Sequence, residues 1–223
     1  KAQGINLGII CNVNQGIVTG ADKVSRKHIE KYGIRANIGD GIFVLSNNEV
    51  ERLNLTTKEK EILKPWFKNS DISRYYTQNK TEEYVIYLDG QYKEADIPNI
   101  IYHLIKFKTN LQERREVNNG VRNWYDLWWS REKRIFESAK IVAPQRSPRN
   151  TFGYNEIPWY ASADVYFITQ KDENVSLKYI LALLNSKLYY LWLYYRGKRK
   201  GEILEIIAKP LSEIPIKKIA KED

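Results

Sequence analysis

Methionine is absent from these 223 residues and cysteine occurs once, as Cys11. A single cysteine excludes an internal disulfide and a thiolate zinc site, and its apolar surroundings suit a buried structural thiol in an intracellular, cytoplasmic chain. The two histidines, His28 and His103, lie far apart without acidic or cysteine neighbours at ligand spacing, so each reads as structural or exposed rather than metal-binding. There is no Gly-x-Gly-x-x-Gly and no Walker loop, which leaves nucleotide binding of those kinds unsupported. Asp71, Asp89 and Glu94 lack a companion Glu-x-Lys after a strand, so the sequence offers no defensible metal-dependent nuclease centre. The expectation is a segment with no catalytic residues, no metal and no cofactor of its own. No charged-then-apolar leader opens the chain, and the missing methionine at position 1 reads as a piece cut from a longer protein. No apolar run is long enough to span a bilayer cleanly. The best, 177–195, carries Asn185, Ser186 and Lys187 at its middle, where a lysine would cost about 2.5–3.5 kcal/mol in lipid. A buried helix pair or bent helix is expected there instead.

What the chain does have is positive charge and aromatic side chains. Lys+Arg number 36 against 27 Asp+Glu, a formal net charge of +9, and 43% of residues are hydrophobic. That is a folded composition with a bias toward a polyanionic partner, and a chain this long buries roughly 70–75% of its unfolded surface. The stretch 140–169 organises the rest. Ile141-Val142-Ala143 stops at Pro144 and opens into a polar loop with Gln145, Arg146, Ser147, Arg149 and Asn150, before a second apolar run begins at Val165. Two strands holding a basic, amide-bearing loop suit display of guanidinium and carboxamide groups to phosphates or base edges. A plain solvated loop has the same composition.

Along the chain, the pattern predicts a strand over 7–13, a Gly-punctuated turn region at 15–23, and a helix capped by Ser25 running to Tyr32 and ended by Gly33. A second strand is expected over 40–45. Thr56-x-x-Glu59 is a capping box opening a helix that Pro65 closes, with an aromatic loop carrying Lys68, Asp71 and Arg74 from 64 to 76. A strand over 83–88 and one helix from about 98 to 116 follow, stopped at Asn118-Asn119-Gly120. Gly120 to Arg131 packs Trp124, Tyr125, Trp128 and Trp129 between Arg122 and Arg131, an arrangement that suits base stacking or ordinary packing. Ser176 caps the next helical region, which ends in Arg196-Gly-Lys198-Arg199-Lys200-Gly201, a compact and flexible basic knob suited to phosphates. A last edge strand is expected over 214–219, with a frayed tail at 221–223.

Several of these pieces, in this order, resemble one family. Gly16-Ile-Val-Thr-Gly-Ala-Asp-Lys23, Ile62-Leu-Lys-Pro65 with Asp71-Ile72 and Arg74-Tyr75, and Trp124-Tyr125 with Arg131 are the first. Lys140-Ile-Val-Ala-Pro-Gln-Arg146, Asp164-Val-Tyr-Phe-Ile168, Leu181-Ala-Leu-Leu-Asn-Ser-Lys-Leu188 and Pro210-Leu-Ser-Glu-Ile-Pro-Ile216 follow. Together they resemble the C-terminal specificity domain of TaqI-type adenine DNA methyltransferases and of fused restriction-modification enzymes. Related domains occur in type I specificity subunits and phage-defence systems.

The resemblance implies a mixed α/β target recognition domain over 1–223, with a curved mixed sheet, packed helices and a helical subregion at about 176–200. It implies double-stranded DNA as partner, and a separate catalytic domain of the same parent chain that binds S-adenosylmethionine and methylates an extruded adenine, with magnesium if a nuclease is attached. The absence of adjoining prolines, and so of the family's Asn-Pro-Pro-Tyr element, agrees with that division of labour. The candidate DNA contacts are Lys68, Arg74, Arg122, Gln145, Arg146, Arg149, Asn150, Arg196, Lys198, Arg199 and Lys200, chosen by side-chain chemistry and motif neighbourhood. Two readings compete: a standalone metal-dependent nuclease, and a protein- or RNA-binding module using Trp124, Trp128 and Trp129.

Overall fold

The computed structural model describes residues 4–217, in two compact units each assembled from separate stretches of chain. One contains residues up to 16, 67–79 and 132 onward; the other contains 17–66 and 80–131. The architecture is mixed α/β, as expected.

The first unit is built on a five-stranded sheet. Its strands are β1 (Cys11–Gln15), β2 (Tyr75–Tyr76), β3 (Lys140–Pro144), β5 (Gly153–Asn155) and β6 (Val165–Gln170), and β4 (Arg146–Ser147) lies between the third and fourth of these in the chain. The spatial order is β1-β6-β3-β5-β2, antiparallel except for the parallel pair β5-β2. Every residue of β3 is buried, because both faces of the sheet are covered. On one face Ile141, Ala143 and Ile168 meet the helices α1 (Leu177–Leu184) and α2 (Lys187–Arg196). On the other, Phe167 meets the rings of Phe136 and Trp159, and Trp159 stacks on Phe67 at 4.8 Å. The two expected strands flanking the 145–150 loop pair directly, Val165 opposite Pro144 and Ile168 opposite Ile141.

The apolar segment 177–195 is the expected helix pair, with each helix capped by a serine, Ser176 and Ser186. After it come β7 (Lys198–Lys200) and β8 (Ile203–Glu205), an antiparallel hairpin, and β8 also pairs with β4. The basic knob is therefore corrected from a flexible loop to a strand: Leu204 is buried and holds the hairpin, while Gly201 turns it at φ +62°. Gly197 lets α2 run straight into β7, since a Cβ there would meet the Leu193 carbonyl at 2.4 Å. The final strand is Pro215–Ile216, paired with Ile5–Asn6; the expectations for 218–223 lie outside the described residues.

Other expectations change as well. Residues Leu7–Ile10 form one helical turn rather than strand, because burial follows helical spacing: Leu7 and Ile10 are inside while Ile9 is 62% exposed. Residues Leu63–Phe67 are a strand rather than the start of a loop, with Pro65 opposite Tyr84.

The second unit has antiparallel strands Val44–Ser46, Glu83–Ile86 and Leu63–Phe67, with Glu83–Ile86 in the middle. The helix over Arg26–Tyr32 ends at Gly33 in the left-handed region, as predicted. Glu59 completes the capping box with Thr56 and also accepts from Asn99 and Ile100. Burial would raise its pKa, but these bonds together hold it below the usual carboxylate range. The helix expected from 98 to 116 is broken into Pro98–Leu104, a 3-10 turn at Ile105–Phe107, Lys108–Gln112 and Arg115–Asn118. The last of these breaks falls at Arg114, which leaves helical geometry (ψ 134°) while its guanidinium donates to the carbonyls of Leu111, Trp124 and Asp126. The aromatic cluster is largely packing: Trp124 is buried with Nε1 donating to Glu94, and Tyr125 donates to the Tyr92 carbonyl, although Trp129 is partly exposed. His103 is buried against the Ile42 carbonyl, and burial pushes its pKa down to about 4, so it is structural. Among the described residues, no helix is long and apolar enough to cross a membrane.

Candidate functional site

The first unit carries two cationic regions, and both grow from the strand-loop-strand element at 140–169. The first is the three-stranded sheet β7-β8-β4. Strand β4 is the start of the predicted display loop and β7 is the predicted basic knob. Both pair with β8, so residues some fifty positions apart become cross-strand neighbours. Register sets Lys198 and Arg146 on either side of Glu205. Lys198 Nζ lies 2.8 Å from Glu205 Oε2 and Arg146 Nη2 lies 3.2 Å from Oε1. Donation first from Lys198 and then from Arg146 lowers the Glu205 pKa, so it stays an anion. Glu205 is only 8% exposed and Arg146 is 57% exposed, so the carboxylate is a buttress and the cations are the accessible groups. Arg199 lies over the Tyr194 ring, its guanidinium carbon 3.8 Å from the centroid. Lys200, beside the turn, and Arg196, at the end of α2, are exposed. Gln145 is half-buried and its backbone does structural service: its N–H donates to Asp164 at 2.6 Å and its carbonyl accepts from Ile206 at 2.7 Å.

The second region is a cleft of about 340 Å³ lined by Arg74, Pro148, Arg149, Asn150, Lys187 and Tyr190. Its walls are fixed by two asparagines. Asn150 is 4% exposed and donates from Nδ2 to the carbonyls of Leu184 (2.6 Å) and Ser186 (2.9 Å), which ties the loop to the junction of α1 and α2. The expectation that Asn150 reads a base edge is therefore corrected, since both of its amide hydrogens are used inside the fold. Asn185, fully buried, accepts from the Phe152 N–H at 3.1 Å and donates to the Phe152 carbonyl at 2.8 Å. The Asn185 carbonyl in turn accepts from Arg74 Nη2. Gly153, next along, allows residues 73–77 to approach: a Cβ there would meet the Tyr76 carbonyl at 2.6 Å.

Of the remaining predicted contacts, Lys68 is exposed in the same unit but does not line the cleft. Arg122 belongs to the other unit, where Nη1 donates to the Asp89 carbonyl at 3.1 Å. The sequence reading missed Glu205, Lys187 and Tyr190. Glu205 was findable, because a hairpin turning at Gly201-Glu202 sets it opposite Lys198. Lys187 and Tyr190 are three apart on α2 and so share a face, but they sit inside an apolar run that reads as core. Among the described residues, no three of His, Cys, Asp and Glu are grouped to hold a metal ion.

Known proteins resemble this chain in sequence and in fold. The chain is 27% identical over 226 residues to the type II methyltransferase M.HindII of Haemophilus influenzae, an alignment covering 96% of this chain and 38% of that protein. It is 33% identical over 133 residues to the type II methyltransferase M.HincII of Haemophilus influenzae, covering 55% of this chain and 26% of that one. The fold is shared with the type IIL restriction-modification enzyme MmeI, solved in complex with DNA: TM-score 0.62, 13% identity, 90% of this chain and 24% of that one. The chain thus spans well under half the length of these proteins. The profile of the TaqI-like C-terminal specificity domain matches residues 64–216, and the chain belongs to that family.

Proposed function

We propose that this specificity domain reads a short double-stranded DNA sequence for an adenine-N6 methyltransferase of a restriction-modification system. The observation that carries the reading is the pairing of β4 and β7 with one strand, β8, which brings Arg146 of the 145–150 loop and residues 198–200 into one cationic surface. The matched methyltransferases are much longer than this chain, which is consistent with a catalytic domain elsewhere in the parent protein. That domain would bind S-adenosylmethionine and hold the extruded adenine. A nuclease, if fused, would bring its own magnesium. Extruding a base costs a few kcal/mol, and firm contacts to the flanking duplex offset it.

Within this reading, Arg196, Lys198, Arg199 and Lys200 contact phosphates, which fix register without reading sequence. Arg146 and Gln145 are the base-edge candidates. Glu205 engages one terminal nitrogen of Arg146 and so orients the guanidinium fork, whose other donors suit guanine O6 and N7. Arg74 and Lys68 add charge on the same unit, and Arg122 on the other.

The test is selection of bound duplexes from a randomised pool by the full-length parent protein. Arg146→Ala is expected to relax preference at one position, at a cost of about 1–3 kcal/mol for the favoured base pair. An unchanged preference would overturn the assignment of Arg146.

A further inference from the structure

The cleft differs from the β7-β8-β4 surface in having cations but no anion. Arg74, Arg149 and Lys187 all line it, and the other lining residues, Pro148, Asn150 and Tyr190, carry no negative charge. Among the described residues, neither Lys187 Nζ nor the Arg149 guanidinium makes a hydrogen bond or ion pair. Arg74 donates to one main-chain carbonyl, which leaves most of its donors unused. Three like charges around one concavity repel each other, and folding holds them there. The two-asparagine lock and the close packing at Gly153 fix the walls, so the arrangement is preorganised rather than a chance meeting of long side chains.

The chemistry that satisfies such a cleft is a small anion with several acceptor oxygens. Arginine forks match phosphate oxygens bidentately and lysine adds a point charge. Tyr190 supplies an aromatic surface suited to the apolar side of a sugar. A volume of about 340 Å³ accommodates one such group with its neighbours and not a helix or strand.

We propose that the cleft between the 148–150 loop and the start of α2 is a socket for a single DNA backbone phosphate, held by Lys187 and Arg149 with Arg74. It rests on the DNA-reading assignment above and deepens it. Lys187 and Tyr190 join the contact set, and the 148–150 loop is divided between Asn150, which builds the wall, and Arg149, which grips. The socket pins the register of the duplex, so that the β7-β8-β4 surface meets the same base pairs each time.

The experiment measures duplex affinity of the full chain against salt, from about 50 to 200 mM, for wild type, Arg149→Gln/Lys187→Gln and Lys200→Gln. Both cleft side chains are exposed, so the double variant is expected to keep the wild-type melting temperature. Arg74 is left intact because it braces Asn185. If both cations hold one phosphate, the double variant lowers the log–log salt slope by about 0.9, and the affinity lost over that salt range shrinks by about three- to fourfold. A slope lower by about 1.8 means two separate phosphates and overturns the single socket. An unchanged slope beside a reduced slope for Lys200→Gln overturns the socket while leaving DNA reading intact. Absence of duplex binding by wild type overturns both. A second arm compares melting in inorganic phosphate and in chloride at matched ionic strength. Phosphate-specific stabilisation of wild type that the double variant lacks, beside an unchanged duplex slope, would assign the cleft to free phosphate and overturn the backbone assignment.

Discussion

The two cationic regions of the first unit solve the same electrostatic problem in opposite ways. On the β7-β8-β4 surface, Lys198 and Arg146 share Glu205, and Arg199 rests on Tyr194, so the charges are partly met and their directions set from within the protein. In the cleft, Arg149 and Lys187 have no side-chain partner among the described residues, and what is fixed is the backbone beneath them, by Asn150 and Asn185. A cation held by a buried carboxylate has a defined direction, which suits discrimination between base edges. A cation without one has unspent attraction, which suits capture of a phosphate. The proposed division between reading and gripping rests on which residues have anions beside them.

The largest effect should come from breaking the frame under the cleft. Asn185→Leu leaves the buried N–H and carbonyl of Phe152 unpaired, each costing about 1–3 kcal/mol, and the melting temperature should fall on the order of 10 °C. Residual folded protein should show no further loss of salt slope on adding Arg149→Gln/Lys187→Gln. A clear further loss would show that the cleft does not depend on its frame.

A third kind of cation sharpens the comparison. Lys140 is fully buried, donates to the carbonyls of Ser138 (2.9 Å) and Ile157 (2.7 Å), and burial pulls its pKa from 10.5 to about 7, against the attraction of Glu137. Between those values the unfolded chain binds the proton and the folded one does not, so stability rises with pH, by up to about 1.4 kcal/mol per unit. Urea midpoints at pH 7 and pH 9 should show that gain in wild type and its loss in Lys140→Met. Equal gains would mean that Lys140 keeps its charge inside the fold.

Removing the buttress tests the reading surface. Glu205→Gln takes away the negative charge between Lys198 and Arg146 in their shared register. Overall duplex affinity should rise several-fold while discrimination at the base pair read by Arg146 falls, as measured by competition between matched and mismatched duplexes. Retained discrimination would separate Arg146 direction from Glu205. The smallest effect belongs to Lys200→Gln at the hairpin edge: a uniform weakening across sequences and a salt slope lower by about one, with no change in sequence preference.

Much of this was legible in the chain. The capping box at Thr56 and Glu59, the helix stop at Gly33 and the pairing of apolar runs around the 145–150 loop follow from local chemistry, because caps and strand alternation act over a few residues. Leu7–Ile10 and the broken 98–116 helix were not legible. In the first, three apolar residues around Gly8 suit either period, and only the burial of Leu7 and Ile10 decides it. In the second, helical spacing of Ile100, Leu104, Phe107 and Leu111 is kept, while the last break falls at Arg114, whose guanidinium donates to carbonyls supplied by residues 124 and 126. At the candidate site, the cations of β4 and β7 stood out as charge in loops. Lys187 and Tyr190 were hidden by apolar neighbours, and Asn150 looked like a display residue because its acceptors, the carbonyls of Leu184 and Ser186, lie far along the chain.

By itself the sequence determined the family, the positive balance and the segments that carry charge, since these are properties of residue type and local order. Tertiary structure alone decided which cations keep an internal anion and which share a cleft without one. That follows from strand register and from how the helix junction at Asn185 packs on Phe152, and both are long-range contacts that no local pattern encodes.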